Sequence, residues 1–270
     1  MQSKTSLPHG VENLAIKQTL LEAAKAAKQV TLPYFRSEMV VDNKEKEHFD
    51  PVTEADRKAE IAIRDVIEKN FPDHAIIGEE HANKEGSSDF SWIIDPIDGT
   101  RSFISGLPVW GTLIGLAYKG KLFAGLMTQP FIGETFLGFD GTSSYQRDGE
   151  QEIKITTSRE NRLENARLFT TSPALFSASQ SRAFERLGQK ARLTRYGCDC
   201  YAYCLLAAGH IDLVVEPDLK IYDIAALIPI IRFAGGKVTN FTGGPPDKGG
   251  DIIAAASAEL HAQAMEIMRP

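Results

Sequence analysis

The sequence predicts an α+β fold in two lobes, an antiparallel sheet backed by helices followed by a mixed α/β unit. Three observations carry this reading. Helical apolar spacing dominates the first 70 residues. Three strand-like runs then follow at 110–118, 122–129 and 134–139, separated by turn signals such as Lys119-Gly120 and Asp140-Gly141. Beyond about residue 150, strand-like and helix-like segments alternate. The expected boundary divides an N-terminal lobe, 1–150, from a C-terminal lobe, 151–270, in one compact unit.

Residues 11–36 read as a long helix with apolar positions Leu14, Ile16, Leu20, Leu21 and Ala24. Residues 37–52 are polar and acidic and read as a loop or hairpin. Thr53-Glu54-Ala55-Asp56 is a capping-box pattern opening a helix through Asn70, with Ala59, Ile63, Val66 and Ile67 as its apolar stripe. A short strand at 75–77 leads into Gly78-Glu79-Glu80. In the second lobe the spacing predicts strand 166–170, helix 174–187, strand 191–195, helix 199–208 and strand 211–216. It continues with helix 223–234, strands 237–240 and 251–256, and helix 258–268. Pro229 should kink the helix that contains it.

Chemistry concentrates in Trp92-Ile93-Ile94-Asp95-Pro96-Ile97-Asp98-Gly99-Thr100. The aromatic and β-branched residues suit a buried strand. Pro96 donates no backbone hydrogen bond, so regular pairing should lapse beside Asp95. The turn then gathers Asp95, Asp98 and the carbonyls near Pro96 and Ile97 in one small volume. Clustered hard oxygens suit Mg²⁺, which keeps several waters and recruits substrate phosphate as a further ligand. Mn²⁺ would also be accepted. A helix begun by Thr100–Ser105 would aim backbone amides at an anion. The alternative, an Asp-rich strand-to-helix loop, accounts for one acid better than for two.

Composition narrows the function classes. With 43% hydrophobic and 24% charged residues, the 270-residue chain reads as an ordinary globular protein. A net charge of −6 with no basic stripe argues against nucleic acid as principal partner. Neither an apolar signal core nor a membrane-length apolar window is visible, so cytoplasm and no membrane partner are the expectation. Cys198, Cys200 and Cys204 lie within seven residues. No His or Cys pattern nearby completes a thiolate metal site, and Cys200 and Cys204 share one apolar helix face, so buried helical thiols are expected.

DPIDGTRSF, with GEE at Gly78-Glu79-Glu80 and YDIAALIPIIRFAGG at Tyr222–Gly236, resembles the inositol monophosphatase superfamily of Mg²⁺-dependent phosphatases. RSFISGLPVWGTLIGL and RYGCDCYAYCLLAAGHIDLVVEP look like its histidinol-phosphate phosphatase branch. The resemblance implies a layered αβαβα sandwich, with most metal ligands in the first lobe and specificity residues in the second. It implies two to three Mg²⁺ per site, a small-molecule phosphate monoester as substrate, and a homodimer. Glu79, Asp95, the Ile97 carbonyl, Asp98 and Asp223 align with the family's metal ligands. Taken alone, Asp223 reads as a helix N-cap, and one carboxylate can serve both ends.

Asp50 occupies the place where relatives carry an acid beside a weaker third metal; a solvated loop acid is the other reading. The resemblance makes Thr100 a proton relay to Glu79, so that a water activated through the pair, with Asp98 alongside, attacks phosphorus in line; a capping hydroxyl is the alternative. Gly99 and Thr100 amides would hold phosphate oxygens. Arg101 either approaches phosphate or pairs with a surface acid.

Glu216 falls where the family contacts the leaving alcohol, together with Asp223, and Asp199 at a second substrate-facing position. Inositol offers only neutral hydroxyls, whereas histidinol offers an ammonium and an imidazole that two acids satisfy. An N-cap is the competing reading of Asp199. L-Histidinol phosphate hydrolysis is therefore the expected activity. An inositol, sugar or nucleotide monophosphatase is the alternative, and a non-enzymatic scaffold is disfavoured because the ligand set is complete.

Overall fold

Helix α1 (Gly10–Tyr34) carries Ile16, Leu20, Ala23 and Ala27 at alternating four- and three-residue spacing, which puts them on one face. That face is buried. Leu14 and Leu21, expected on the stripe, lie off it and are 60% and 37% exposed. In the computed structural model, which describes residues 10–38, 40–43 and 51–269, β1 (Val41–Asn43) pairs antiparallel with β2 (Pro51–Thr53). Helix α2 (Glu54–Asn70) starts with the expected capping box. Thr53 Oγ1 accepts from the Ala55 amide at 3.1 Å, and Asp56 Oδ2 accepts from the Thr53 amide at 2.8 Å. Ile63 and Ile67 of α2 join the α1 face against the first sheet.

That sheet contains β3 (Ala75–Gly78), β4 (Phe90–Asp98), β5 (Gly111–Tyr118), β6 (Lys121–Gln129), β7 (Glu134–Phe139), β8 (Thr142–Arg147) and β9 (Ile153–Lys154), in sequential order. The expected meander is present, with two differences. β3 runs parallel to β4, because residues 79–89 return the chain to the same sheet end, so the sheet is not wholly antiparallel. β8 and β9 extend it past residue 139, where polar TSSYQR shows little apolar alternation. Short α3 (Thr100–Ile104) follows β4.

The second sheet has β10 (Arg167–Thr170), β11 (Leu193–Tyr196), β12 (Leu213–Leu219), β13 (Lys237–Asn240) and β14 (Gly250–Ala255), ordered β11-β10-β12-β14-β13. β10 is parallel to both neighbours and β14 antiparallel to both of its own, the mixed sheet expected. Its helices are α4 (Ala178–Lys190), α5 (Asp199–Ala207), α6 (Ile221–Ile224), α7 (Leu227–Phe233) and α8 (Ala258–Met268). The helix expected at 174–187 instead starts at Ala178, after a 3₁₀ turn at Pro173–Leu175. Ser177 and Gln180 cap it reciprocally. The helix expected at 223–234 is split into α6 and α7 at Ala225-Ala226. Pro229 has no N–H to donate to the Ala225 carbonyl one turn back, which removes the bond that would join them.

The layers follow from the cores. α1 and α2 cover one face of the first sheet. α5, α6 and α7 lie between the sheets, with Tyr203, Leu206 and Ile230 meeting Leu113, Met127 and Phe136 on one side and Val214, Ile252 and Ala254 on the other. Phe184 and Leu187 of α4 and Leu260 and Ala264 of α8 close the far face. The result is an αβαβα sandwich. No described helix is long and apolar enough to cross a membrane.

The middle layer sits very close to the first sheet. Gly115, Gly125 and Gly138 are cross-strand partners on β5, β6 and β7, and Ser143 continues the row on β8. A Cβ at Gly125 would lie 1.9 Å from the Ala226 carbonyl oxygen, and one at Gly138 2.4 Å from the Ile230 amide nitrogen. Ser143 Oγ donates to the Ile230 carbonyl at 2.5 Å. This row of small residues seats the α6–α7 backbone directly on the sheet. Gly125→Ala should therefore lower stability by roughly 1–3 kcal/mol, as overpacking against backbone does. Chemical denaturation measures it, and an unchanged midpoint would show that α7 is free to move.

Candidate active site

At the end of β4 the pairing lapses as Pro96 requires. Asp95 pairs with Leu113, and register resumes only at Asp98 opposite Gly111. The Thr112 hydroxyl donates to the freed Pro96 carbonyl at 2.7 Å. The bulge turns Asp95 and Asp98 toward α6. Asp95, Asp98 and Asp223 then offer oxygens all within 4.8 Å of one another. Each acid is tethered by one backbone amide. Ile97 N donates to Asp95 Oδ1 at 3.1 Å, Cys200 N to Asp98 Oδ2 at 2.8 Å, and Lys220 N to Asp223 Oδ2 at 2.7 Å. One oxygen of each side chain is thus engaged, and the carboxylate plane is oriented for its second oxygen. Asp223 is not the N-cap of α6: Lys220 is, and Asp223 three residues on accepts from its amide while facing the other two acids.

Glu79 follows β3 and contacts the Asp95 carboxyl. Its turn is held from beneath by Glu60, which is fully buried on α2. Glu60 Oε2 accepts from the Glu80 amide at 2.7 Å, and Oε1 from Arg64 Nε at 2.7 Å and the His81 amide at 3.3 Å. A Cβ on Gly78 would fall 2.0 Å from Glu60 Oε1, so this carboxylate needs the glycine. Asp56, one turn earlier, is also fully buried. Its Oδ2 is engaged by Thr53, while Oδ1 has no hydrogen-bond partner among the described residues. Burial raises its pKa to about 6, reinforced by the charges of Glu80 and Glu79. The sequence reading missed both as site residues. The signal was there: Asp56, Glu60, Ile63 and Ile67 share one helical face, so two acids sit on an apolar stripe.

Burial pushes the carboxyls of Asp95 and Asp98 well above the usual range, and the charges of Glu79, Asp98 and Asp223 add to it for Asp95, those of Asp223 and Asp199 for Asp98. An all-oxygen set of mutually repelling, partly buried acids fits a hard divalent cation such as Mg²⁺. Asp95, Asp98, Asp223, Glu79 and the Ile97 carbonyl would hold it. That carbonyl accepts from Thr100 Oγ1 at 3.1 Å, so the hydroxyl expected to donate to Glu79 donates here to Ile97. Asp50 lies outside the described residues. Cys200 and Cys204 are buried in α5, and Cys198 is half-buried just before it; all are free thiols and none belongs to the acid cluster.

Asp98 and Asp223 border a cleft of about 150 Å³ lined also by Thr171, Asp199, Tyr203 and Glu216. Glu216 Oε1 accepts from the Thr171 amide at 2.8 Å and hydroxyl at 2.5 Å, and Oε2 from Tyr203 Oη at 3.2 Å. Burial, with the charge of Asp199 adding to it, raises the Glu216 pKa to about 7 against these donors. Asp199 opens α5 without capping it; its Oδ2 accepts from Ser102 Oγ at 2.5 Å. Burial raises its pKa, opposed by Ser102 and by the Arg101 guanidinium. The Arg101 guanidinium thus acts by its charge on a site acid. Gly99 adopts φ +83° before α3, and its amide and that of Thr100 lie at the turn carrying Asp98.

The sign of the metal's linkage to pH follows. Acids with raised pKa bind protons more tightly in the folded than in the unfolded chain. Their stabilising effect is present at low pH and lost as pH rises above the ordinary carboxylate range. A divalent cation replaces those protons, so its stabilisation grows with pH. The Mg²⁺-induced rise in Tm should be larger at about pH 8 than at about pH 5. Thermal unfolding with and without Mg²⁺ tests this, and equal shifts at both would count against the acid cluster as the metal site.

The chain is similar to known proteins over nearly its whole length. Residues 13–269 match the inositol monophosphatase family. The bifunctional phosphatase IMPL2, chloroplastic, of Arabidopsis thaliana is 44% identical over 90% of this chain and 72% of its own. A histidinol-phosphatase of Chlorobaculum parvum is 35% identical, covering 84% and 86%. The Nus factor SuhB of Haemophilus influenzae is 33% identical over 91% of each. Among solved structures, an inositol monophosphatase from Zymomonas mobilis superposes with a TM-score of 0.84 at 36% identity, covering 97% of this chain and 100% of its own.

Proposed function

The chain belongs to the inositol monophosphatase family of phosphatases, and on that premise we propose that it is a Mg²⁺-dependent phosphomonoesterase acting on L-histidinol phosphate. The carrying observation is the second pair of acids. Asp199 and Glu216 line the same small cleft as Asp98 and Asp223. Buried carboxylates are unfavourable unless a cation or donor meets them. Among the described residues Glu216 has three donors and Asp199 one, with the Arg101 charge also acting on Asp199, and each carboxylate offers about four lone-pair positions. The remaining acceptors suit an ammonium and an imidazole N–H through charge-assisted bonds. The likeness to a histidinol-phosphatase supports the same reading.

Mg²⁺ held by the acid cluster would polarise the phosphoryl group and lower the pKa of a water. The chain's own groups do the rest. The amides of Gly99 and Thr100 hold phosphate oxygens. Glu79 and Thr100 orient the attacking water; to relay its proton the Thr100 hydroxyl turns from the Ile97 carbonyl, and the buried, unpartnered Asp56 Oδ1 is proposed as the acceptor. Asp199 and Glu216 hold the leaving alcohol. The free thiols suit a reducing compartment, so cytoplasm remains the proposed location, with a homodimer the proposed assembly.

Phosphate release with Mg²⁺ on L-histidinol phosphate, inositol 1-phosphate and a 3′-phosphonucleotide tests the reading. A preference of 100-fold or more for the first, about 2.7 kcal/mol, is expected. Asp199→Ala should reduce turnover of that ester far more than that of the uncharged inositol ester; equal losses, or a flat wild-type profile, would return the chain to a broader monophosphatase. Asp56→Asn should lower kcat about 100-fold or more at saturating Mg²⁺ with KM little changed. If added Mg²⁺ restores kcat, Asp56 merely organises the metal ligands.

A further inference from the structure

Asp199 is held in an unusual way. It is the first residue of α5, yet it adopts φ +43°, a left-handed conformation that non-glycine residues rarely occupy. Its charge acts on both Asp98 and Glu216, a repulsion that the Arg101 charge opposes without fixing where the carboxylate points. What fixes its direction comes from the α3 peptide. Gly99 leaves the room: a Cβ there would lie 3.0 Å from both Cβ and Cγ of Asp199. Ser102, only 8% exposed, supplies the bond, its hydroxyl donating to Asp199 Oδ2 at 2.5 Å.

A serine hydroxyl has one proton to donate, and here Asp199 Oδ2 receives it. Among the described residues no hydrogen-bond donor reaches Oδ1, which faces the same cleft as Glu216 Oε2, itself accepting there from Tyr203 Oη. Resting on the histidinol-phosphate reading above, we propose that Ser102 is the positioning residue that sets substrate choice, holding Asp199 so that it and Glu216 together receive a cationic leaving alcohol. Ser102 and Thr100 belong to one five-residue helix, so the peptide that faces the phosphate also fixes the carboxylate that faces the cation. The spacing between the two ends of the ester is thereby built into α3.

The test is Ser102→Ala, assayed on L-histidinol phosphate and inositol 1-phosphate, alone and combined with Asp199→Ala. Removing a hydrogen bond to a charged group should lower kcat/KM for the cationic ester by about 10- to 100-fold, mostly through KM. Turnover of the uncharged ester should stay within about twofold, because that ester makes no demand on Asp199. In the Asp199→Ala background the serine change should have no further effect, and Ser102→Thr, which keeps the hydroxyl, should recover part of the loss. A retained preference in Ser102→Ala would overturn the inference. So would parallel losses on both esters with a lowered Tm, which mark a merely structural serine. A wild-type enzyme with no preference for the cationic ester would instead overturn the substrate assignment on which this rests.

Discussion

The packing of like charges governs this structure. Three carboxylates with oxygens inside 4.8 Å, a fourth touching one of them, and two more across a small cleft repel one another strongly. At 4 Å and an effective dielectric of 20, each ionised pair repels by about 4 kcal/mol. Left to side-chain freedom, such a cluster would splay into solvent. It is held by backbone amides from three separated places, at Ile97, Cys200 and Lys220. Neutralisation by protons or a hard cation completes it. The raised pKa of Asp95 and Asp98 is the same repulsion seen from the proton's side.

The amides must arrive together, and the layering makes them do so. α5 brings Cys200 N to Asp98, and the turn before α6 brings Lys220 N to Asp223. Both belong to the middle layer, which lies against the glycine row of the first sheet. Because the Ala226 and Ile230 backbone touches that sheet, Asp223 has little freedom to drift from Asp95 and Asp98. Beneath, Glu60 does for the Glu79 turn what the amides do for the aspartates. Polar groups with no partner in the core are costly, and the oxygens of Glu60 and Glu216 are all occupied. Asp56 Oδ1 is an exception, within reach of the Glu79 and Glu80 charges.

Much of this was legible because it is local. The strand, the proline lapse and the two acids lie within nine residues, so Asp95 and Asp98 could be read directly, as could the capping box at Thr53 and the meander. Glu79, Asp223, Asp199 and Glu216 became site candidates only by resemblance, since each alone reads as a turn acid, a cap or a strand acid. Asp56 was read as a cap and Glu60 was not singled out, although their place on an apolar stripe marked them. The division of the 223–234 helix followed from Pro229, but the place of the break depended on the carbonyl that lost its donor.

By itself, then, the sequence determined most of the helices and strands, where the β4 ladder lapses, and that two acids of a kind suited to a hard cation stand together at Asp95 and Asp98. These depend on covalent geometry and on neighbours a few residues away. Only the tertiary structure decided which oxygen of each acid is tethered, that Thr100 donates to the Ile97 carbonyl, and that Ser102 grips Asp199 across 97 positions of chain. Those outcomes depend on the approach of distant backbone, in particular on how closely a row of small residues lets one layer settle upon another. No local spacing encodes that distance.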